Sequence, residues 1–532
     1  VLLALGERHA LRTLNFILLL GALLDPGEVC RATAVESNAT EHRAAENATT
    51  IFAPLHFDAM APLLVVDPRV GGWRNHSNWI QFREDLRKAK ALGIRSISVD
   101  VWWGLVQPSS PERFEWTFYD AVFKEILDAG LDIAPILAIH RCGGNVGDTD
   151  YVPLPTWFLD KMIRGTSWDL RSKSEAGNWS DEVASVFADR YVLEDYVRFW
   201  KAFRDHFAPL SARIRDIIIG MGPAGELVYP SYHLHDRTAN YEPAFFPNSG
   251  SMQAASPLAL ANFEEWLRGQ PEALRQSARR PPTTPEEANS LVRAAYAGDP
   301  NATIVFRWYH QSLLEHGMRL ALAASDVFHD DTHVAQWMNT RLGFKIPGVH
   351  WRYFDRSAQL KAGWLEFSEP RNPHGVPLDW HKSNGGGFRS AFRNLIIPLR
   401  SLRPRSRWQP VFTCAEVENC FQSCHVNGQC RCDYKGITGA ADLASSVGTL
   451  ADAYGVPFVL ENALSMHLWN PRNVNALRRQ LEAHPSFEGV AFLRLHDAVN
   501  SEPLRPLLLH PPKRTCSLLL STAGQNGSQP TK

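Results

Sequence analysis

The sequence predicts an α/β fold: a (β/α)8 TIM barrel with long loops and one small cysteine-rich insertion. Three observations point to the barrel. Between Phe52 and Leu509, short β-rich runs alternate with helical patterns, as in a parallel sheet with helices packed outside it. Several runs are apolar almost throughout, as strands buried on both faces must be, and Ile217-Ile218-Ile219 is the clearest. No glycine-rich dinucleotide fingerprint follows the first strand, which argues against an open nucleotide-binding sheet.

Composition narrows the function classes. The chain has 532 residues, a net charge of −1, 45% apolar and 21% charged residues. That balance excludes disorder as the main state. It leaves no net positive field to hold phosphates, so no nucleic-acid partner is expected. Eight cysteines are too few for a disulfide scaffold along the whole chain.

The elements follow in chain order. Arg8 and Arg12 precede an apolar run from Leu14 to Leu24, the length of a signal-peptide core and too short to span a bilayer comfortably. Ala32-Thr33-Ala34 suits cleavage after Ala34, so residues 1–34 are expected to be a signal peptide; the alternative is a buried N-terminal helix. Six Asn-X-Ser/Thr sequons (Asn38, Asn47, Asn75, Asn178, Asn301 and Asn526) agree with a secretory route. No other stretch reaches transmembrane length, so a secreted or lumenal chain free of the membrane after cleavage, acting as a monomer, is expected. Residues 35–51 form a polar linker, residues 52–510 the barrel, and residues 511–532 a loose tail.

Within the barrel the candidate strands are Leu55–Val65, Ser96–Val101, Asp132–His140, Ile214–Gly222, Gly343–Val349, Trp408–Cys414, Pro457–Glu461 and Gly489–Leu495. Trp79, Phe82, Leu86 and Ala89 repeat at helical spacing before Gly93, and Phe118, Val122 and Ile126 do so before Gly130. Two further helices are expected over Tyr191–Phe207 and Ala440–Tyr454. The Pro-rich stretch 239–300 reads as an irregular loop insertion helping to wall the mouth.

Catalytic groups of such barrels sit at the C-terminal ends of the strands. There the sequence places Asp100, His140, Glu226, Lys345, His350, Thr413, Glu461, Asn462 and Arg494. Two glutamates across one rim suit glycoside hydrolysis, in which one carboxylic acid protonates the leaving oxygen and a second carboxylate activates water or attacks. Tryptophans in these segments, Trp102, Trp103 and Trp351, offer flat faces to sugar rings. No metal motif competes, and His233 and His235 without further ligands read as loop residues; no metal or cofactor is expected.

The segments as a set resemble glycoside hydrolase family 14, the beta-amylases. His140-Arg-Cys-Gly-Gly-Asn-Val-Gly-Asp148 is similar to one family signature. Gly222-Pro-Ala-Gly-Glu226 with Tyr229-Pro-Ser-Tyr232 is similar to a second. Val99–Gly104, Lys345–Trp351, Phe412–Cys414, Glu461–Leu464 and Leu493–Leu495 resemble further family blocks in the same order. The resemblance implies an inverting exo-hydrolase releasing β-maltose from the non-reducing ends of α-1,4-glucans, its polymer partner. It implies Glu226 as general acid, with its pKa raised, and Glu461 as general base. The two carboxyls would be roughly 6.5–9.5 Å apart. Asp100, His140, Asp148, Lys345 and His350 would hold glucose hydroxyls. Thr413, Asn462, Ala463 and Arg494 would complete the pocket, under a lid at Gly143–Asp148. Asp100 as a structural acid paired with Arg494 or Lys345, and Arg494 as a neutraliser of carboxylates, stay open. Cys142 and Cys414 read as packed thiols. A catalytically weak or inactive glucan-binding relative, and a retaining glycosidase with closer carboxyls, are the alternative functions.

The resemblance breaks after Glu416. Cys420-x3-Cys424-x5-Cys430-x-Cys432, within a 418–439 insertion, resembles part of an EGF-like module. Two disulfides in an oxidising lumen are expected, with three connectivities open.

Overall fold

The computed structural model of the chain describes residues 30–32, 50–52, 54–143, 150–230, 251–347, 362–364, 388–403, 406–412, 425–426, 429–430, 439–462 and 465–512. The leader other than residues 30–32, the tail beyond Pro512 and the glycine-rich segment 144–149 lie outside those residues. So does the cysteine-rich insertion, apart from an antiparallel pairing of His425–Val426 with Gln429–Cys430. Of the sequons, Asn75 is exposed, Asn178 and Asn301 are half-buried, and the other three fall outside the described residues.

Among the described residues, eight parallel strands build a curled sheet. They are β1 (His56–Met60), β2 (Ser96–Trp102), β3 (Asp132–Ala138), β4 (Asp216–Ile219), β5 (Arg341–Gly343 continuing as Lys345–Ile346), β6 (Val411–Phe412), β7 (Phe458–Glu461) and β8 (Phe487–Phe492). Each pairs with the next in parallel, and β8 pairs with β1. The two halves of β5 divide the labour: Arg341–Gly343 pairs with β4, and Lys345–Ile346 with β6. The pairing therefore runs round cyclically, as in a (β/α)8 barrel.

Strand alternation sorts the side chains. In β4, Ile217 and Ile219 join the large core between sheet and helices, whereas Ile218 packs inside the sheet with Met60, Ile136, Val411, Val459 and Ala491. Both faces are buried, which is why the run is apolar throughout. The same alternation turns Asp100, Lys345 and Glu461 inward, because Val99 and Val101, Phe344 and Ile346, and Leu460 face the outer core.

The outer layer forms where periodicity predicts it. Helix α1 (Ser77–Ala91) buries Trp79, Phe82, Leu86 and Ala89, is capped by the His76 side chain and ends before Gly93 at φ 82°. Burying each large apolar side chain contributes about 1.5–3 kcal/mol. Helix α2 (Thr117–Asp128) does the same with Phe118, Val122 and Ile126. Helix α3 (Asp189–His206) packs against the long helix that follows strand β4.

Two expectations need correction. The stretch 239–300 is not irregular throughout: from Pro257 it is largely helical, with α4 (Pro257–Arg268), the short helix Glu272–Ser277 and α5 (Pro285–Tyr296), followed by α6 (Pro300–Phe328). The prolines that look like breakers occupy the first turn, where no N–H is needed, behind capping side chains of Ser256, Thr284 and Asp299. Strand β1 also stops at Met60, short of Val65, because Pro62 cannot donate to the ladder. An antiparallel hairpin of Arg171–Lys173 and Trp179–Ala184, unforeseen from sequence, lies between β3 and β4.

Candidate active site

The C-terminal end of the curled sheet carries the described members of the predicted set, Asp100, His140, Glu226, Lys345, Glu461, Asn462 and Arg494, above the apolar plug of Met60, Ile136, Ile218, Val411, Val459 and Ala491. Lys345 stands at its centre. Its ammonium lies 3.9 Å from Met60 Sδ in the plug and donates to Glu461 at 3.0 Å (Oε1) and 2.8 Å (Oε2). Its backbone forms an isolated parallel bridge to Glu226, and Leu227 N donates to its carbonyl at 2.9 Å. One residue thus touches both glutamates, by main chain on one side and side chain on the other. Lys345, Glu461 and Glu226 are 5%, 7% and 8% exposed, so all three side chains sit in a largely water-poor mouth.

Glu226 arrives on a tight turn after β4. Gly222 must be glycine: a Cβ there would lie 2.6 Å from Glu226 O and 2.9 Å from Val228 O. Ala224 (φ 54°) and Gly225 (φ 77°) both take left-handed backbone, which for alanine costs on the order of 1 kcal/mol. A fully buried carboxylate, Glu182 of the unforeseen hairpin, accepts from Ala224 N at 3.3 Å, and its backbone carbonyl accepts from Arg141 N at 2.7 Å. Sequence reasoning missed Glu182, which carries no motif of its own.

His140 follows β3, buried, edge-on to Trp102 at 5.2 Å between ring centroids. Burial pushes its pKa down to about 4 against the pull of Glu182, and Lys345 depresses it further, so the ring is neutral near pH 7. His140 Nδ1 is buried with no hydrogen-bond partner among the described residues, and so is Arg494 Nη1. Both are polar atoms that a sugar hydroxyl can satisfy. Asp100 lies inward on β2 with its carbonyl accepting from Tyr119 Oη at 3.0 Å.

The Asn462 side chain is engaged with protein. Its Oδ1 accepts from Leu493 N at 2.6 Å and its Nδ2 donates to Leu493 O at 2.9 Å, fixing the strand end that leads into Arg494. Trp102 and Trp103 also differ from expectation: both are fully buried and offer no face to a sugar. Trp103 sits among Phe158, Tyr196 and Phe199, and Trp102 donates to Leu63 O at 2.7 Å. Cys142 is packed, as expected, with its thiol 3.5 Å from Asp150 O. Asp148, His350, Trp351, Thr413, Cys414, Glu416 and Ala463 lie outside the described residues. Among the described residues, no group of three or more His, Cys, Asp or Glu is placed to hold a metal ion.

Comparison with known proteins shows the family and the fold. The family model of glycosyl hydrolase family 14 matches residues 60–375. Beta-amylase 2, chloroplastic, of Oryza sativa subsp. japonica is 31% identical over 394 residues, covering 71% of this chain and 62% of that protein. The thermophilic beta-amylase of Thermoanaerobacterium thermosulfurigenes is 28% identical over 441 residues, covering 79% and 68%. The chain thus spans less than two thirds of the rice relative's length. The solved catalytic domain of a beta-amylase from Paenibacillus polymyxa superposes with a TM-score of 0.63 at 23% identity, covering 84% of this chain and 94% of that one, a likeness of fold.

Proposed function

We propose, because the chain belongs to glycosyl hydrolase family 14, that it hydrolyses α-1,4-glucans from their non-reducing ends and releases β-maltose with inversion. The observation that carries this reading is Lys345, bridged through its backbone to Glu226 and bonded through its ammonium to Glu461. This supports a reading in which two glutamates from distant parts of the chain serve one barrel mouth.

The chemistry follows from their positions. Glu226, as the acid, gives its proton to the glycosidic oxygen while the C1–O bond breaks. Glu461, ion-paired with Lys345, takes a proton from a water whose oxygen attacks C1 from the opposite face. The product leaves as the β-anomer, and solvent exchange restores both protonation states. Neutral His140, Asp100 and the Arg494 guanidinium supply hydrogen bonds to sugar hydroxyls, with Asp148, His350, Thr413 and Ala463 completing the pocket. Asn462 acts by fixing the backbone before Arg494. No cofactor enters these steps.

Product analysis of maltoheptaose digested by the purified full chain tests this. The expected result is maltose with odd-length remnants from the first turnovers. A ladder of internal fragments overturns exo action, and binding without cleavage makes the chain a glucan-binding relative. We further propose, on the leader at 1–34, action in the secretory lumen or outside the cell. Because the rice relative carries the word chloroplastic in its name, a reporter fused to residues 1–51 should be followed both to the medium and to plastids.

A further inference from the structure

We propose that His316, oriented by Asp189, is a positioning residue for Glu226, gripping from outside the barrel the turn that delivers the catalytic acid. The inference rests on the reading of Glu226 as that acid. His316 lies on α6 and is 3% exposed. Its Nε2 is 2.7 Å from Met221 O, at the root of the Glu226 turn. Its Nδ1 is 2.7 Å from Asp189 Oδ1 on α3, and Asp189 Oδ2 in turn accepts from Arg319 Nε at 2.7 Å.

Both ring nitrogens face acceptors, a carbonyl on one side and a carboxylate on the other. Arg319 holds the second oxygen of the Asp189 carboxylate, so the partner of Nδ1 is itself fixed in place. The ring therefore has one orientation, and Met221 O is fixed at its tip. The neighbouring residue completes the grip. A Cβ on Gly317 would stand 2.8 Å from Leu227 Cδ2, so α6 also lies directly against the residue after Glu226. Helix α6 thus holds the chain on both sides of Glu226, through His316 at Met221 and Gly317 at Leu227.

That arrangement suits a turn under strain. Ala224 is left-handed, and such backbone in a residue other than glycine persists only where its surroundings over-determine it. Glu182 holds the turn from the hairpin side through Ala224 N. His316 holds it from the helix side. Releasing one hold lets the Glu226 carboxyl drift, and a misplacement of about 1 Å costs up to about 100-fold in rate.

The test compares two substrates in the full chain. A maltooligosaccharide needs proton donation to its leaving oxygen, whereas fluoride departs from α-maltosyl fluoride with far less acid help. His316→Gln should lower kcat on maltopentaose by about 10- to 100-fold while changing the fluoride rate and KM little. Asp189→Asn, which keeps side-chain volume, should show the same selective loss to a smaller degree and serves if the first variant does not melt cooperatively. Equal losses on both substrates, or none, overturn the positioning role. Glu226→Gln is the control: selective loss of maltopentaose hydrolysis there, without it in either relay variant, sinks this proposal alone. A Glu226→Gln variant without selective loss removes the acid assignment and the proposal with it.

Discussion

The two ends of the barrel carry similar residue types and use them in opposite ways. At the N-terminal end, Asp58 receives Arg95 at 2.7 and 3.0 Å and Ser96 Oγ at 2.6 Å. Asp216 receives Arg341 at 2.6 Å and Arg95 at 3.0 Å. Asp132 holds Arg213 and Arg215, and Glu488 accepts from Gln409 at 2.9 Å. Burial alone would push the Asp216 carboxyl up, but Arg341 and Arg95 together outweigh it and hold it below the ordinary carboxylate range. At the C-terminal end, Lys345 and Glu461 are paired, yet His140 Nδ1 and Arg494 Nη1 stand without partners among the described residues. The apolar plug separates the two rings. Charge at the lower end is spent on closing the fold, and charge at the upper end is kept available for a ligand.

Substitutions can break that contrast. The largest effect is expected at the top: Glu226→Gln and Glu461→Gln should each lower kcat on maltooligosaccharides by about 100- to 10,000-fold, with the thermal midpoint close to the parent's. Steady-state kinetics and a melting curve on the same sample check both halves. At the bottom the signature reverses. Asp216→Ala removes the hydrogen-bonded carboxylate of Arg341 and one of the two that hold Arg95, and should cost up to about 3–5 kcal/mol in denaturant unfolding while kcat of the folded fraction stays unchanged.

Acid sharpens the comparison. Burial lowers His56 in the bottom ring, His140 at the top and His310 beneath Gly363 to about 4 each. The unfolded chain takes up these protons near pH 6.5, whereas the fold resists them until about pH 4. Stability is therefore full above about 6.5, falls as pH drops toward 4, and loses nothing more from these groups below that. Each residue accounts for at most on the order of 3 kcal/mol across the window. Denaturant titrations at pH 7 and 4.5 measure the loss, and His56→Asn should shrink it. The smallest effect is expected from Ala224→Gly. Relief of left-handed strain and added freedom in the unfolded chain nearly cancel, so unfolding free energy should change by less than about 1 kcal/mol.

Sequence reading succeeded where the signal is local. Apolar runs marked the strand interiors, Gly93 and Gly130 marked helix ends, and the motifs placed Glu226, Lys345 and Glu461 on one rim. It faltered where direction or distance decides. Tryptophan content does not say which way Trp102 and Trp103 point, and packing buries both against protein. Prolines at 257, 285 and 300 punctuate helix starts as readily as loops, and only the capping residue before each one distinguishes the two. Glu182 and His316 reach the Glu226 turn from separate elements, a juxtaposition that no short-range pattern encodes.

In the proposed mechanism Glu226 and Glu461 act from opposite sides of the scissile bond, with the hydrolytic water on the Glu461 side. Proton NMR of the first maltose released from maltopentaose, recorded before mutarotation, tests it most directly. Inversion gives the β-anomeric signal alone at early time, with the α signal growing only at the mutarotation rate. An initial α-anomer would mean retention, and with it a pair of carboxylates too close together for the water this mechanism requires.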